Sequence, residues 1–461
     1  MVHRGDGTNI ALRARTMKKL YTLFLAFSIL FTAVKVARAQ KNEKKELNKA
    51  AVENNVSDVT TELTAHSKDA IFDKTASYTF LVNNNYSTTQ SGKVSYQITD
   101  QFNKVLRTDS VHISLAGRSS HSYDFTMPEL KSGFYKVNFM INVSDYDDTT
   151  HRVFGIRPEE IKSAYSKPAD FDKFWQDTKA QLAKVKPNFK VTEKPELEKD
   201  KRKVFLIEMK SYGNKTIYLW LTEPEHHQKY QHFPVLIMLP GYQATNIPLM
   251  GRDDDMAFVG LDPRGQGLSK KDLDMRREDY IVAGLEDKDK YIMRGIIMDC
   301  IRAVDFVFSR PELSHDRVAV TGGSMGGYLS IATAALDKRV TICAPQNPFL
   351  SDIYNMDRGA VEWPINYMRK YASVAADLTF TKVLDNLQYY DTKNFATTIT
   401  CPVVMGIGLL DPFVPPNNSY AVYNNINSKK KLFVFKDLGH EVGDKYYRYE
   451  TLYTRDYFGL W

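Results

Sequence analysis

Residues 317–327 read Arg317-Val318-Ala319-Val320-Thr321-Gly322-Gly323-Ser324-Met325-Gly326-Gly327, and they decide the fold. A run of β-formers ends in Gly-x-Ser-x-Gly, and a helical pattern carrying Tyr328, Leu329, Ile331 and Ala332 follows at once. A nucleophile held on a tight strand-to-helix turn needs neighbours without bulky side chains, because the backbone there is strained and closely packed. Glycines at 322, 323, 326 and 327 meet that need. The helix that starts there offers backbone N–H groups and a positive dipole end to a developing oxyanion. Without its flanks the motif would be only a glycine-rich turn with an incidental serine. Here both flanks are present.

Working outward, apolar and β-rich runs recur at Val204–Met209, Ile217–Leu221, Val235–Leu239, Met256–Leu261, Val318–Thr321, Val340–Ala344, Val403–Ile407 and Leu432–Phe435. Helical patterns lie between several of them, as in Tyr291–Phe308 and Gly327–Leu336. Continuous apolar strands separated by helices predict a mostly parallel sheet with helices on both faces. Upstream, Asp170 is the predicted N-cap of a helix that places Phe171, Phe174, Trp175, Thr178 and Leu182 at helical spacing. That stripe reads as core packing. Open parallel sheets carry their chemistry in the loops at the carboxyl ends of strands.

A serine hydroxyl is a weak nucleophile until a base takes its proton, so a histidine and an orienting carboxylate should follow Ser324 in the chain. His440 is the single histidine downstream, in Asp437-Leu438-Gly439-His440-Glu441 directly after the last apolar run. Two carboxylates compete to orient it. Asp411 ends its own strand in Gly406-Ile407-Gly408-Leu409-Leu410-Asp411, whereas Asp437 sits three residues before the histidine and reads as shaping its loop. Asp411 is the expected partner. The second oxyanion donor should come from the loop after an earlier strand, where Leu239-Pro240-Gly241-Tyr242 stands. The amides of Tyr242 and Met325 are the candidate pair, although taken alone Gly241-Tyr242 reads as a plain strand-end turn.

From about Pro168 onward the chain resembles the acetyl xylan esterase/cephalosporin C deacetylase family of α/β-hydrolases. Arg264-Gly265-Gln266-Gly267, Gly322-Gly323-Ser324-Met325-Gly326 and His440-Glu441 carry the resemblance, with support from Pro168–Trp175, Arg302-Ala303-Val304-Asp305, and Asp411 with Pro415-Pro416. It implies deacetylation of short acyl esters on sugars by Ser324, His440 and Asp411, with oxyanion N–H groups from Tyr242 and Met325. Arg264, Gln266 and Glu441 read as supporting residues, with Glu441 either orienting the histidine loop or simply solvated. No metal or organic cofactor is expected, and the expected partner is an acetylated carbohydrate. Two positions depart from the family pattern: Met325 stands where glutamine is usual, and Pro240 where histidine is usual. The family's common ring-shaped hexamer makes a homo-oligomer one expectation, which the additional amino-terminal domain leaves open.

That domain has its own signature. Ala76, Tyr78, Phe80 and Val82 alternate with polar residues, as do Val94, Tyr96 and Ile98; Val111, Ile113 and Leu115; and Tyr135 through Val143. Several short strands between turns predict an immunoglobulin-like β-sandwich over residues 55–158, followed by a catalytic domain over 159–461. His112, His121 and His151 within the sandwich read as ordinary strand or surface residues. Before it, residues 40–54 read as a charged linker and 1–39 as a secretory signal. Lys18 and Lys19 precede the apolar Leu20–Val34 run, Ala37-Arg38-Ala39 offers a cleavage site, and Met17 reads as the natural start. That run is shorter than the ~20 residues a membrane span needs. The chain of 461 residues carries a net charge of +7, but removing residues 1–39 leaves 55 basic residues against 54 acidic. The charge therefore reads as an export address and excludes a nucleic-acid footprint. Cys300, Cys343 and Cys401 are far apart in sequence and indicate neither a zinc site nor a disulfide framework.

Two rival functions remain. A prolyl oligopeptidase-type serine peptidase has a similar nucleophile turn, but Arg264-Gly265-Gln266 and the lack of a repetitive propeller pattern speak against it. A non-catalytic carbohydrate-binding protein on a hydrolase scaffold is opposed by the Ser324, Asp411, His440 order.

Overall fold

A computed structural model describes residues 59–163, 165, 167–225, 232–250, 255–272, 280–359 and 361–461. The expected signal and linker lie outside the described residues.

Eight strands open the described chain: β1 (Val59–Ala65), β2 (Ile71–Phe72), β3 (Ser77–Asn84), β4 (Gln90–Thr99), β5 (Val105–Leu115), β6 (Ser119–Thr126), β7 (Gly133–Val143) and β8 (Tyr146–Ile156). They form a three-stranded sheet in the order β1-β3-β6 and a five-stranded sheet in the order β2-β8-β7-β4-β5. The second order is that of an immunoglobulin-like sandwich, with a long β4–β5 hairpin at one edge. Alternation explains the packing: Tyr78, Phe80, Val82, Tyr96, Ile98, Val137, Phe139 and Ile141 are all buried between the sheets. Val111 departs from the expected pattern. It lies on the edge strand β5 and is 45% exposed, while Ile113 and Leu115 turn inward.

Helix α1 (Phe171–Ala183) follows, with Phe174 and Trp175 packed edge-on against Tyr390. Asp170 stands at its N-cap position but makes no side-chain cap, and its carboxylate accepts the Tyr389 hydroxyl instead. Next come β9 (Lys190–Glu193), β10 (Arg202–Ser211), β11 (Lys215–Pro224), β12 (Phe233–Met238), β13 (Ala257–Asp262), α2 (Ile292–Phe308), β14 (Leu313–Gly323), α3 (Met325–Leu336) and β15 (Ile342–Gln346). Four short helices bridge to the next strand: α4 (Ile353–Arg358), α5 (Tyr367–Val374), α6 (Phe380–Leu387) and α7 (Thr392–Ala396). The chain closes with β16 (Val403–Gly408), α8 (Pro416–Asn424), β17 (Lys430–Phe435) and α9 (Gly443–Phe458).

The nine strands from β9 on form one sheet, in the order β17-β16-β15-β14-β12-β13-β11-β10-β9. Strands β12 to β17 pair in parallel, and β9 to β11 add an antiparallel wing. Both faces are covered. Leu236, Phe258, Ala319 and Ile342 pack with Phe458 of α9 on one side, while Val235, Ile237, Val320 and Cys343 join the larger core containing α2 and α3. Cys300, Cys343 and Cys401 are free and buried.

The sandwich is seated directly on this domain. The Phe134 amide donates to Asn417 Oδ1 at 3.1 Å, and the Phe134 and Tyr420 rings lie 5.1 Å apart. Asn424 Nδ2 donates to the carbonyls of Pro158 and Ile161 at 2.9 Å each. One hydrophobic cluster runs through both parts.

Candidate active site

The turn between β14 and α3 holds Ser324 at φ 58° and ψ −118°, a left-handed backbone that a non-glycine residue adopts only under local constraint. Three backbone bonds supply that constraint. The Ser324 amide donates to the Gln346 carbonyl at 3.0 Å, and the Ser324 carbonyl accepts from Tyr328 and Phe349 at 3.0 Å each. The glycines on either side answer to close packing: a Cβ on Gly326 would come within 2.2 Å of the Leu239 carbonyl oxygen, and one on Gly322 within 2.4 Å. This proximity brings the end of β12 against the nucleophile turn. Met325 opens α3, so its N–H has no acceptor within the helix.

Asp411 and His440 come from the loops after β16 and β17 and meet each other there. His440 Nδ1 lies 2.7 Å from Asp411 Oδ2. The other carboxylate oxygen, Oδ1, accepts from the amides of Phe413 at 2.8 Å and Val414 at 2.9 Å. The Asp411 side chain is fully buried, so backbone donors and the imidazole replace its water. The competing Asp437 points elsewhere: it is 59% exposed and 3.7 Å from the guanidinium of Arg152 in the sandwich.

Sequence reading passed over Asn347, which holds the histidine loop. Its side chain donates to the His440 carbonyl and accepts from the Gly408 amide at 3.1 Å. Gln346-Asn347, two polar residues ending an apolar strand, was the available signal. Glu441 is exposed, with no side-chain hydrogen bond to another described residue.

Tyr242 sits in the loop after β12, and Gln266 shapes that loop. Gln266 Oε1 accepts from the Gln243 amide at 2.8 Å, while Nε2 donates to the carbonyls of Gly241 at 3.2 Å and Ala244 at 3.0 Å. The Tyr280 hydroxyl also donates to Oε1. Asp262 ties the same loop to the one after β13 through the Asn246 and Leu268 amides, both at 2.9 Å. Burial raises the Asp262 carboxyl above its ordinary value, opposed by those two donors.

Arg264 braces a different part of the molecule. Its guanidinium clasps Asp299 of α2 through Nε at 2.8 Å and Nη2 at 2.7 Å, and Nη2 also reaches the Tyr212 carbonyl at 2.8 Å. Asp299 was not singled out in the sequence, since one acid in an apolar helix gives no hint of its partner. Replacing Asp299 by alanine would strand a buried guanidinium, and is expected to cost about 3–5 kcal/mol in chemical denaturation. A loss below 1 kcal/mol, on the order of an exposed pair, would show that the clasp is not a structural strut.

Aromatic rings wall the site. Tyr242 packs against Tyr280 at 5.1 Å and Trp363 at 4.9 Å, and the Phe413 ring stands edge-on to His440 at 5.1 Å. Trp363 arrives on the helical insertion between β15 and β16.

A family profile described as acetyl xylan esterase (AXE1) matches residues 157–455, starting where the sandwich ends. The chain belongs to the acetyl xylan esterase family. It is a carbohydrate esterase of the α/β-hydrolase type, a carboxylic ester hydrolase. Among similar proteins is the acetyl esterase Axe7A of Xylanibacter ruminicola, 31% identical over an alignment of 298 residues that covers 62% of this chain and 66% of that one. The chain thus spans a little under two thirds of that relative's length. Solved acetyl xylan esterases share the fold. The enzyme from Paenibacillus sp. R4 aligns with a TM-score of 0.59 at 26% identity, covering 65% of this chain and 98% of that one. The enzyme from Thermoanaerobacterium sp. JW/SL YS485 aligns with a TM-score of 0.57 at 27% identity, covering 65% and 97%.

Proposed function

We propose that this esterase is exported and removes acetyl groups from acetylated xylan or xylo-oligosaccharides through a Ser324-His440-Asp411 triad. The observation that supports the reading is a histidine whose Nδ1 is held 2.7 Å from a buried carboxylate at the same carboxyl edge of the sheet that carries the strained serine turn. Family membership supports the substrate class. Among the described residues no helix is long and apolar enough to cross a membrane.

In this mechanism Asp411 keeps the proton of His440 on Nδ1, leaving Nε2 free to take the Ser324 proton as Oγ attacks the acetyl carbonyl. The oxyanion is received by the amides of Met325 and Tyr242. The intermediate collapses as His440 returns the proton to the departing sugar oxygen. Water, deprotonated by His440, then attacks the acetyl-serine; acetate leaves and Ser324 recovers its proton. Each oxyanion donor is worth roughly 100–1,000-fold in rate, and the Met325 donor is a backbone group. Its side chain therefore tunes fit, with Sδ 3.7 Å from the Tyr280 hydroxyl.

Acetate release should be measured from acetylated xylan, xylose acetates and cephalosporin C, beside cleavage of proline-containing peptides. We expect acetate from the sugar esters and a fluorophosphonate label on Ser324. Peptide cleavage without acetate release would favour the peptidase, and an unlabelled Ser324 a carbohydrate binder.

A further inference from the structure

A cleft of about 510 Å³ separates the sandwich from the hydrolase sheet, within the range of small-molecule sites. One wall is polar and belongs to the sandwich. Alternation along β7 puts Lys136 and Asn138 on one face, and the β7–β8 register sets His151 directly opposite Asn138. His151 Nδ1 lies 2.7 Å from Asn138 Oδ1, which fixes both groups. Asn138 Nδ2 and His151 Nε2 then have no partner among the described residues. Lys136 Nζ donates to Asn103 Oδ1 at 2.8 Å, which orients the Asn103 amide in the same way. The opposite wall offers an apolar patch from Leu410, Pro412 and Pro415, with Glu362, Asp411 and Asn417 beside it.

An oriented row of amide, imidazole and ammonium groups across from an apolar patch bordered by polar groups suits a sugar ring, which has hydroxyls at its rim and C–H groups on its face. The cleft also adjoins the catalytic site. Asp411 and Pro412 line it, and the next residue, Phe413, packs on His440. Glu362 lines it too, and the next residue, Trp363, packs on Tyr242.

We propose that this cleft is a second glycan subsite, built by the sandwich, that holds sugar units neighbouring the one whose acetyl ester reaches Ser324. The proposal rests on the carbohydrate-esterase reading above. It gives the amino-terminal domain a direct part in choosing polymer over small ester.

The full chain carrying Asn138→Ala and His151→Ala tests this, with kcat/KM measured on acetylated xylohexaose and on p-nitrophenyl acetate. We expect the ratio of the two to fall at least tenfold, carried by KM on the oligosaccharide. Binding of unsubstituted xylohexaose to the Ser324→Ala protein, followed by calorimetry, should weaken by a similar factor. Lys136→Ala, at an exposed strand position, is the second variant should the pair fail to fold. An unaltered ratio, or equal losses on both substrates, overturns the subsite while leaving the esterase reading intact. A wild-type enzyme that cleaves p-nitrophenyl acetate but no sugar acetate overturns both.

Discussion

Ser324→Ala is expected to abolish p-nitrophenyl acetate hydrolysis, with turnover falling by about 10⁶-fold. That is about 8 kcal/mol of transition-state stabilisation, the cost of removing the nucleophile itself. Alanine keeps the Cβ, so the unusual backbone at φ 58° and its three hydrogen bonds remain as they are. The variant should therefore melt with the wild type, which separates loss of chemistry from loss of structure. Full activity in a folded Ser324→Ala protein would remove Ser324 from the mechanism.

Asp411→Asn is expected to lower turnover by about 10⁴-fold. The geometry explains why an isosteric change should do so much. Oδ1 already accepts from two backbone amides, Phe413 and Val414, so the asparagine oxygen must take that side. Its NH2 group then faces His440 Nδ1, where the carboxylate oxygen stood. Imidazole answers by moving its proton to Nε2, the atom that must accept from Ser324. The base is present but holds the wrong tautomer. Asp437→Asn is the matched control: its exposed carboxylate faces Arg152, and its replacement should leave turnover near wild type. Kinetics on the two variants decide between the carboxylates, since a larger loss at Asp437 would reverse the assignment.

All eight apolar runs after residue 200 correspond to strands: six lie in the parallel part of the sheet, where burial on both faces writes itself as continuous hydrophobic sequence, and two are β10 and β11 of the wing. The strand-end positions of Ser324, Asp411 and His440 were legible for a related reason: each follows such a run, and the order of the runs ties each to a strand end. The outermost strand of the antiparallel wing was less visible. β9, Lys190–Glu193, is exposed throughout and carries no apolar signal. Nor did the helical insertion after β15 announce that Trp363 would stand beside Tyr242. That contact joins residues far apart in sequence through tertiary packing, which no local pattern encodes. Asp299 and Asn347 are the same case in polar form. A buried polar residue must find a partner, but sequence does not name it.

The shared core between sandwich and hydrolase has a last consequence. A domain on a loose tether samples many orientations, and any ligand bridging it to its neighbour must first meet the entropy of choosing one. Here Phe134 against Tyr420, and Asn424 against Pro158 and Ile161, have already made that choice during folding. The distance from the sandwich surface to Ser324 is thus a fixed offset, a ruler rather than a leash. Shortening or lengthening the segment around residue 158 would change that offset only by breaking the packing that sets it.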